Sequence, residues 1–410
     1  SDIIGQVTDS DLAVVKEGGE IVAQALVSLL VSPPFYRQRS KKPAWLLELQ
    51  SFDMSTVSDV KPRQCNSVLL HLLASPNIAS KEWVYRQYDH QVMDNSVVLP
   101  GSDAAVLRIK GTRKGISLTT DGNGRYCYLD PYLGGVIAVA EAARNLACSG
   151  AEPLAITDCL NFGNPERDDV YYQLKSCIKG MARACQELRI PVISGNVSLY
   201  NETKGQAIYP TPVVGMVGIV SDIDRRCTMS FKAKGDVVFL LGGMRENGIG
   251  GSEYLELMHG LVKGRPYIDL GLEKRVQRCC VEAIRHGFVK SAHDCSEGGL
   301  VVAVAESCIA GDIGFVAEGW NIERRLDSAL FGEHQSQIVV SIPSNSVIKV
   351  DKIARKWRVP LTYIGKVGGK RLSVKRMSLR GMEYRSDLFD LSLDVLGRAW
   401  HYGLKWQLGM

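Results

Sequence analysis

The sequence predicts an α/β chain with α+β character, built as two layered domains in series. Three observations carry that expectation. Two apolar stretches, Pro153–Thr157 and Ile190–Ile193, run out into small polar, glycine and acidic residues. The polar segments are Asp158-Cys-Leu-Asn-Phe-Gly-Asn-Pro-Glu166 and Pro191-Val-Ile-Ser-Gly-Asn-Val-Ser-Leu-Tyr-Asn-Glu-Thr203. Between them Val170, Leu174, Cys177, Met181, Cys185 and Leu188 keep helical spacing. Beyond residue 230, strand-like and helix-like segments alternate.

In chain order, Ile3-Ile-Gly-Gln-Val7 and Gly19-Glu-Ile-Val-Ala23 predict short strands within residues 1–26. Residues 27–60 hold Pro33-Pro34, a basic cluster and the polar run Ser51–Ser58, and predict an irregular connector. Residues 61–225 predict a first α/β domain, which contains every phosphate-directed motif. Residues 230–410 predict a second. Its strands are placed at Asp236–Leu241, Phe288–Ala292, Gln337–Ile342 and Leu361–Val367, and its helices at Leu272–His286, Gly299–Ala310 and Val347–Trp357. No short-period repeat or low-complexity tract interrupts this order.

The strand–helix–strand order around Asp158 and Pro191 brings both polar ends to one edge of a sheet. Asp and Asn oxygens beside glycine amides suit a hard cation and the phosphates it bridges. One such segment alone would be an ordinary Asn/Gly turn. Two long ones, so placed, favour a ligand.

Composition fits a cytosolic globular enzyme subunit. At 410 residues the chain is long enough for two or three domains with proper cores. Eleven cysteines lie scattered without a C-x-x-C pair, which argues against a zinc site or a disulfide framework and for reduced thiols. Adjacent Cys279 and Cys280 read as small core residues. No apolar run approaches the roughly 18–20 residues that span a bilayer. The net charge of +5 is mild, and its clusters, Arg37–Lys42 and Lys370–Arg376, lack interleaved aromatics. They predict solvated surface rather than a nucleic-acid interface.

The motifs also carry a family resemblance. Asp158–Glu166 and Pro191–Thr203 resemble signature segments of phosphoribosylformylglycinamidine synthase, the synthetase subunit of the short, multi-subunit type. Gln87–Val92, Pro100–Val106, Asp130–Gly135, Val139–Asn145, Ile249–Ser252, Ala292–Leu300 and Leu330–Gln337 agree in order along the chain. The resemblance implies an aminoimidazole ribonucleotide synthetase-like two-domain unit. It also implies that residues 1–26 are the strand remnant of a preceding copy, since members resemble two fused copies of one unit.

Residue by residue, the resemblance makes Asp158 and Gly195 ATP-contacting positions, Asn196 a magnesium ligand and Ser198 a substrate contact. The residue types allow it. Glycine admits close approach of backbone to phosphate, an amide oxygen is a hard ligand, and a hydroxyl donates or accepts. A second nucleotide or metal site is conceivable at Glu141 and Asn145, four apart on one helix face, with Asp294 and Ser296. The plain alternative is a capped or solvated helix face. No catalytic residue is assigned. His90 and His293 read as hydrogen-bonded surface or interface histidines, and the catalytic histidines are expected in a first copy. The run Gly242–Ser252 lacks the Gly-Lys-Ser/Thr ending of a phosphate loop and reads as a glycine-rich turn.

The implied reaction converts formylglycinamide ribonucleotide, ATP and glutamine-derived ammonia to formylglycinamidine ribonucleotide in purine biosynthesis, with Mg2+. Implied partners are a glutaminase subunit, a small bridging subunit, and a first-half polypeptide or a second copy. Two other classes stay open: another ATP-using enzyme of the same fold, or a nucleotide-binding scaffold that needs a partner chain.

Overall fold

The computed structural model describes every residue except 33, 34, 36, 244–247, 321, 323, 378–383 and 410. Pro33 and Pro34 of the expected connector, and part of the Gly242–Ser252 turn, therefore lie outside the described residues. The chain divides into two compact units, Ser1–Arg39 and Ser40–Met410.

In the first unit β1 (Leu12–Glu17) and β2 (Glu20–Leu26) form an antiparallel hairpin. Its two-residue turn is Gly18-Gly19, with φ of +59° and +92°, a conformation that glycine adopts without strain. The expected strand at Ile3–Val7 is not formed. Its sequence explains why. Ile4, Gly5, Val7, Leu12 and Val14 are matched in order by Ile364, Gly365, Val367, Leu372 and Val374. In the later copy Ile364, Gly365 and Val367 lie on the strand Leu361–Val367, which pairs on both sides with neighbours of its own sheet. Ile3–Val7 meets no such neighbours, and an extended segment without ladder partners leaves its amides to water. Residues 27–60 are also less irregular than expected, with helices at Val27–Val31 and Ala44–Gln50.

Among its described residues the second unit holds two large sheets and a two-stranded ladder. The first contains β3 (Ser96–Val98), β4 (Ala105–Arg108), β5 (Gly115–Asp121), β6 (Glu152–Asn161) and β7 (Val192–Ser198). A short ladder of β8 (Glu202–Thr203) and β9 (Gln206–Ala207) precedes β10 (Thr211–Val220), which completes the sheet in the order β3-β4-β5-β10-β6-β7. Only β6 and β7 run parallel, and the helix Asp168–Leu188 makes their crossover. That helix and Pro131–Cys148 cover one face. On β10 the covered side chains are Pro212, Val214, Met216 and Val220, and the alternate positions face outward half-buried.

The other sheet has the order β12-β14-β11-β15-β13-β16-β17. Its strands are β11 (Val237–Leu241), β12 (Ser291–Asp294), β13 (Phe315–Trp320), β14 (Ile338–Ile342), β15 (Leu361–Val367), β16 (Arg371–Met377) and β17 (Tyr384–Ser392). Only β13 and β16 are parallel. Both faces are covered. Val238, Leu240 and Val339 pack with the helix Gly299–Gly311, whereas Phe239, Leu241, Ile338 and Val340 pack with the helices Leu270–Arg285 and Val347–Trp357. This explains the near-continuous apolar runs of β11 and β14. The one displaced prediction is Phe288–Ala292, because the strand proper is Ser291–Asp294.

Between the two sheets lies Arg144, wholly buried on the helix Pro131–Cys148. Its guanidinium donates to Asp294, to Glu273 Oε2 at 2.8 Å and to Gln335 Oε1 at 3.0 Å. Three acceptors from the second sheet's side thereby fix the first domain against it, and a buried cation left unpaired would cost several kcal/mol.

Candidate functional site

The parallel pair β6/β7 aligns Asp158 with Gly195, Cys159 with Asn196, and Asn161 with Ser198. All four residues expected to meet ATP, magnesium and substrate thus fall on neighbouring rungs at the edge of the first sheet. Strand alternation then divides them. Asp158 pairs across β10 with the fully buried Val214, so Asp158 and Gly195 take the helix-covered face. Asn196 and Ser198 share the opposite, open face with Cys159 and Asn161. A ligand touching all four has to wrap the edge strand β7. Its residues Val192–Val197 are exposed.

Gly195 has a steric reason to be glycine. A Cβ there would stand 2.3 Å from Asp158 Oδ1 and 2.8 Å from its Cγ. The missing side chain makes room for the Asp158 carboxylate. Partial burial raises the Asp158 pKa above its ordinary 3.8.

The loops beyond these strands are tied together. Glu202 Oε1 accepts from the Asn164 amide at 3.1 Å, Tyr200 N–H donates to Gly163 O at 3.0 Å, and Phe162 N–H to Ser198 O at 3.0 Å. Tyr200 sits at φ +60°, a left-handed conformation that a bulky residue adopts only where its surroundings impose it.

A second cluster lines a cavity of about 650 Å³ at the ends of β5 and the helix Pro131–Cys148. Glu141, Asn145 and Ser296 of the conceived second site all line it, together with Asp121 and Glu297. Asn145 Nδ2 donates to Asp121 Oδ2 at 2.9 Å. Burial, then the charges of Glu297 and Asp294, hold the Asp121 carboxyl well above 3.8. Burial, then Asp121, Glu297 and Asp294, do the same to Glu141. Asp294 lines the adjoining cavity, and burial raises it to about 6 against the pull of Arg144. The Arg144 bond occupies Asp294 Oδ1, whereas its buried Oδ2 has no hydrogen-bond partner. Mutually repelling buried carboxyls of this kind are relieved by protons or by a cation. Among the described residues, no three His, Cys, Asp or Glu side chains already stand in metal-holding geometry. Asp121 and Glu297 were not singled out from sequence, although Asp121-Gly-Asn-Gly124 and Ser296-Glu-Gly-Gly299 carry the same acid-and-glycine signal as the signature segments.

His293 lies between two carboxylates, with Nδ1 at 3.0 Å from Asp103 Oδ1 and Nε2 at 3.0 Å from Glu306 Oε2. Burial favours the neutral ring, but these partners overcome it and hold the pKa well above 6.5. His90 is held at Nδ1 by Tyr88 O at 3.2 Å and edge-on to Tyr85. Both are hydrogen-bonded as expected, but His293 is largely buried between its carboxylates rather than a surface residue. Cys279 and Cys280 are buried core residues, and all eleven cysteines are free thiols. Of the glycine-rich run, Ser252 caps the helix Glu253–His259, its Oγ accepting from Leu255 N–H at 3.2 Å.

Residues 101–220 match the family AIR synthase related protein, N-terminal domain, and residues 233–376 match AIR synthase related protein, C-terminal domain. The chain belongs to the AIR synthase related proteins. The subunit PurL of phosphoribosylformylglycinamidine synthase from Moorella thermoacetica is 50% identical over 400 residues, covering 97% of this chain and 53% of that protein. The chain spans about half the length of the curated relatives it matches. Among solved structures it is similar to T. maritima PurL complexed with ATP, at 27% identity and a TM-score of 0.56, covering 88% of this chain and 49% of that one. It is equally similar to the structure of PurLQS from Thermotoga maritima, at 27% identity and a TM-score of 0.56, covering 88% and 50%. These likenesses agree with the family and the two-domain fold read from the sequence motifs. No helix among the described residues is long and apolar enough to cross a membrane.

Proposed function

We propose that this chain supplies the second-copy half of an ATP-dependent carbon–nitrogen ligase that makes formylglycinamidine ribonucleotide. The observation that carries the reading is the β6/β7 edge. Its adjacent rungs juxtapose Asp158 with Gly195 and Asn196 with its neighbour Cys159, in a chain similar over nearly its whole length to PurL.

In the reaction, the substrate amide oxygen attacks the γ-phosphorus of ATP and ADP leaves. Ammonia then adds to the imidate carbon, phosphate departs and the amidine remains. Catalysis of this kind is mainly positioning and charge neutralisation. Asp158 and Gly195 shape the nucleotide side, and Ser198 meets the ribonucleotide. Asn196, exposed on the open face, fits Mg2+ as a single amide-oxygen ligand, because magnesium keeps several waters and takes oxygens from substrate phosphates. When bound it would neutralise phosphate charge. The second carboxylate cluster, with Glu141, Asn145, Asp294 and Ser296, serves a further cation-bound nucleotide.

The catalytic histidines belong to a first-copy polypeptide, which covers the open sheet face. That face is apolar where Leu118 and Ile193 stand 42% and 68% exposed around a shallow cavity of about 370 Å³. Such a face suits burial against a protein. A glutaminase subunit and a small bridging subunit deliver ammonia, in the cytoplasm.

The test is purified chain with formylglycinamide ribonucleotide, ATP, Mg2+ and ammonium, scored for ADP and amidine. No turnover by the chain alone, and activity on adding a first-copy polypeptide, is the expected result. Turnover by the chain alone overturns the half-enzyme reading. Equilibrium ATP binding without turnover in either arrangement would favour a nucleotide-binding scaffold.

A further inference from the structure

We infer that Asn201 is a positioning residue that clamps the two signature loops together and commits the Ser198 hydroxyl to accepting a hydrogen bond from substrate. This rests on the proposed substrate contact at Ser198.

Asn201 follows the left-handed Tyr200, so its side chain turns back over the loop it terminates. Its Nδ2 lies 3.0 Å from Phe162 O, 3.0 Å from Ser198 O and 3.1 Å from Ser198 Oγ, and its Oδ1 lies 3.3 Å from Ser198 Oγ. An amide NH2 has two hydrogens. The two carbonyls accept only, so they take both. That choice also fixes the amide's orientation, with Oδ1 turned to the hydroxyl. Ser198 Oγ–H then has an acceptor in Oδ1, and the oxygen's lone pairs remain for a donor on the ligand. The substrate group that meets Ser198 is therefore an N–H or O–H.

The clamp has backbone support on both sides. Phe162 O also accepts from Asn201 N–H at 3.1 Å, and Asn201 O accepts from Ile208 N–H at 3.1 Å. Asn201 thus joins the Asp158–Glu166 loop, the Ser198 loop and the segment between β9 and β10. An Asp at this position would still accept from Ser198 but would set a carboxylate against two carbonyls.

The experiment uses the complete enzyme assembled from this chain and a first-copy polypeptide. Ser198→Ala, Asn201→Ala, Asn201→Asp and the Ser198→Ala/Asn201→Ala double variant are compared for kcat and for KM of the ribonucleotide. Loss of one hydrogen bond to a fixed partner should raise KM about tenfold with kcat little changed. A variant that merely unfolds a fraction of the enzyme lowers apparent kcat and leaves KM alone. The expected result is a similar rise for Asn201→Ala, Asn201→Asp and Ser198→Ala, with no further rise in the double variant. Wild-type KM in Asn201→Asp overturns the clamp, as does a double variant whose KM rise is the product of the single ones. Wild-type KM in Ser198→Ala instead removes the parent reading, and the inference with it. Melting curves identify a misfolded Asn201→Ala, in which case the Asp variant decides alone.

Discussion

Gly195→Ala probes the edge site with one methyl group. The added carbon would stand 2.3 Å from Asp158 Oδ1. Ordinary van der Waals contact begins near 3.4 Å, so the carboxylate has to retreat by about 1 Å. The backbone at 195 is extended strand, so alanine carries no conformational penalty there. The cost is steric. An off-rotamer aspartate costs about 0.5–1.5 kcal/mol, and a local overpacking about 1–3 kcal/mol. Melting of the variant should therefore show a loss of about 1–2 kcal/mol. Where Asp158 contacts nucleotide, losing a charged hydrogen bond of about 1.5–3 kcal/mol weakens ATP about 10- to 100-fold. The decisive comparison repeats Gly195→Ala in an Asp158→Ala background, with equilibrium ATP binding by the complete enzyme as second readout. There the methyl group meets only the backbone oxygen of residue 158 at 3.1 Å, and most of the stability cost should disappear while ATP binding stays weak. An equal stability cost in both backgrounds would refute the steric argument. Unchanged ATP affinity in all three variants would refute the nucleotide role.

Two further predictions concern buried charge. His293 has its folded pKa raised above 6.5 by Asp103 and Glu306. Its contribution is fully present below about pH 6.5 and is lost as pH rises through the folded value. The Tm difference between wild type and His293→Asn should be largest near pH 6 and shrink into the alkaline range, and a constant difference from about pH 6 to 9 would count against it. Asp121 and Glu141 likewise have raised pKa values, so stability from their protonated forms is lost as pH rises through those values. Magnesium should then raise Tm at about pH 8 far more than at about pH 5.5, and Glu141→Gln should remove most of that difference. Equal increments at both pH values would show that the cluster holds no cation.

Much of this protein was legible in the sequence, because much of it is local. A helix at Asp168–Leu188 follows from the spacing of Val170 to Leu188, β11 and β14 follow from near-continuous apolar runs, and β15 from β-forming residues between Pro360 and Gly368. The nearness of Asp158 to Pro191–Thr203 follows from strand–helix–strand order alone. What the sequence left open depends on pairs of residues far apart in the chain. A strand is expected at Ile3–Val7 and none at Leu12–Glu17, yet ladder partners make the strand at Leu12–Glu17. Register decides that Asp158 and Gly195 share one face while Asn196 and Ser198 share the other, since a shift of one residue would reverse both. Gly195 is glycine because of an oxygen on the neighbouring strand. Asp121 and Glu297 join Glu141 only because β5, the helix Pro131–Cys148 and the segment after β12 converge, and Asn201 acquires its role by meeting Phe162 across two loops. Periodicity is written along the chain, whereas charge repulsion, steric room and hydrogen-bond direction exist only between segments that folding brings together.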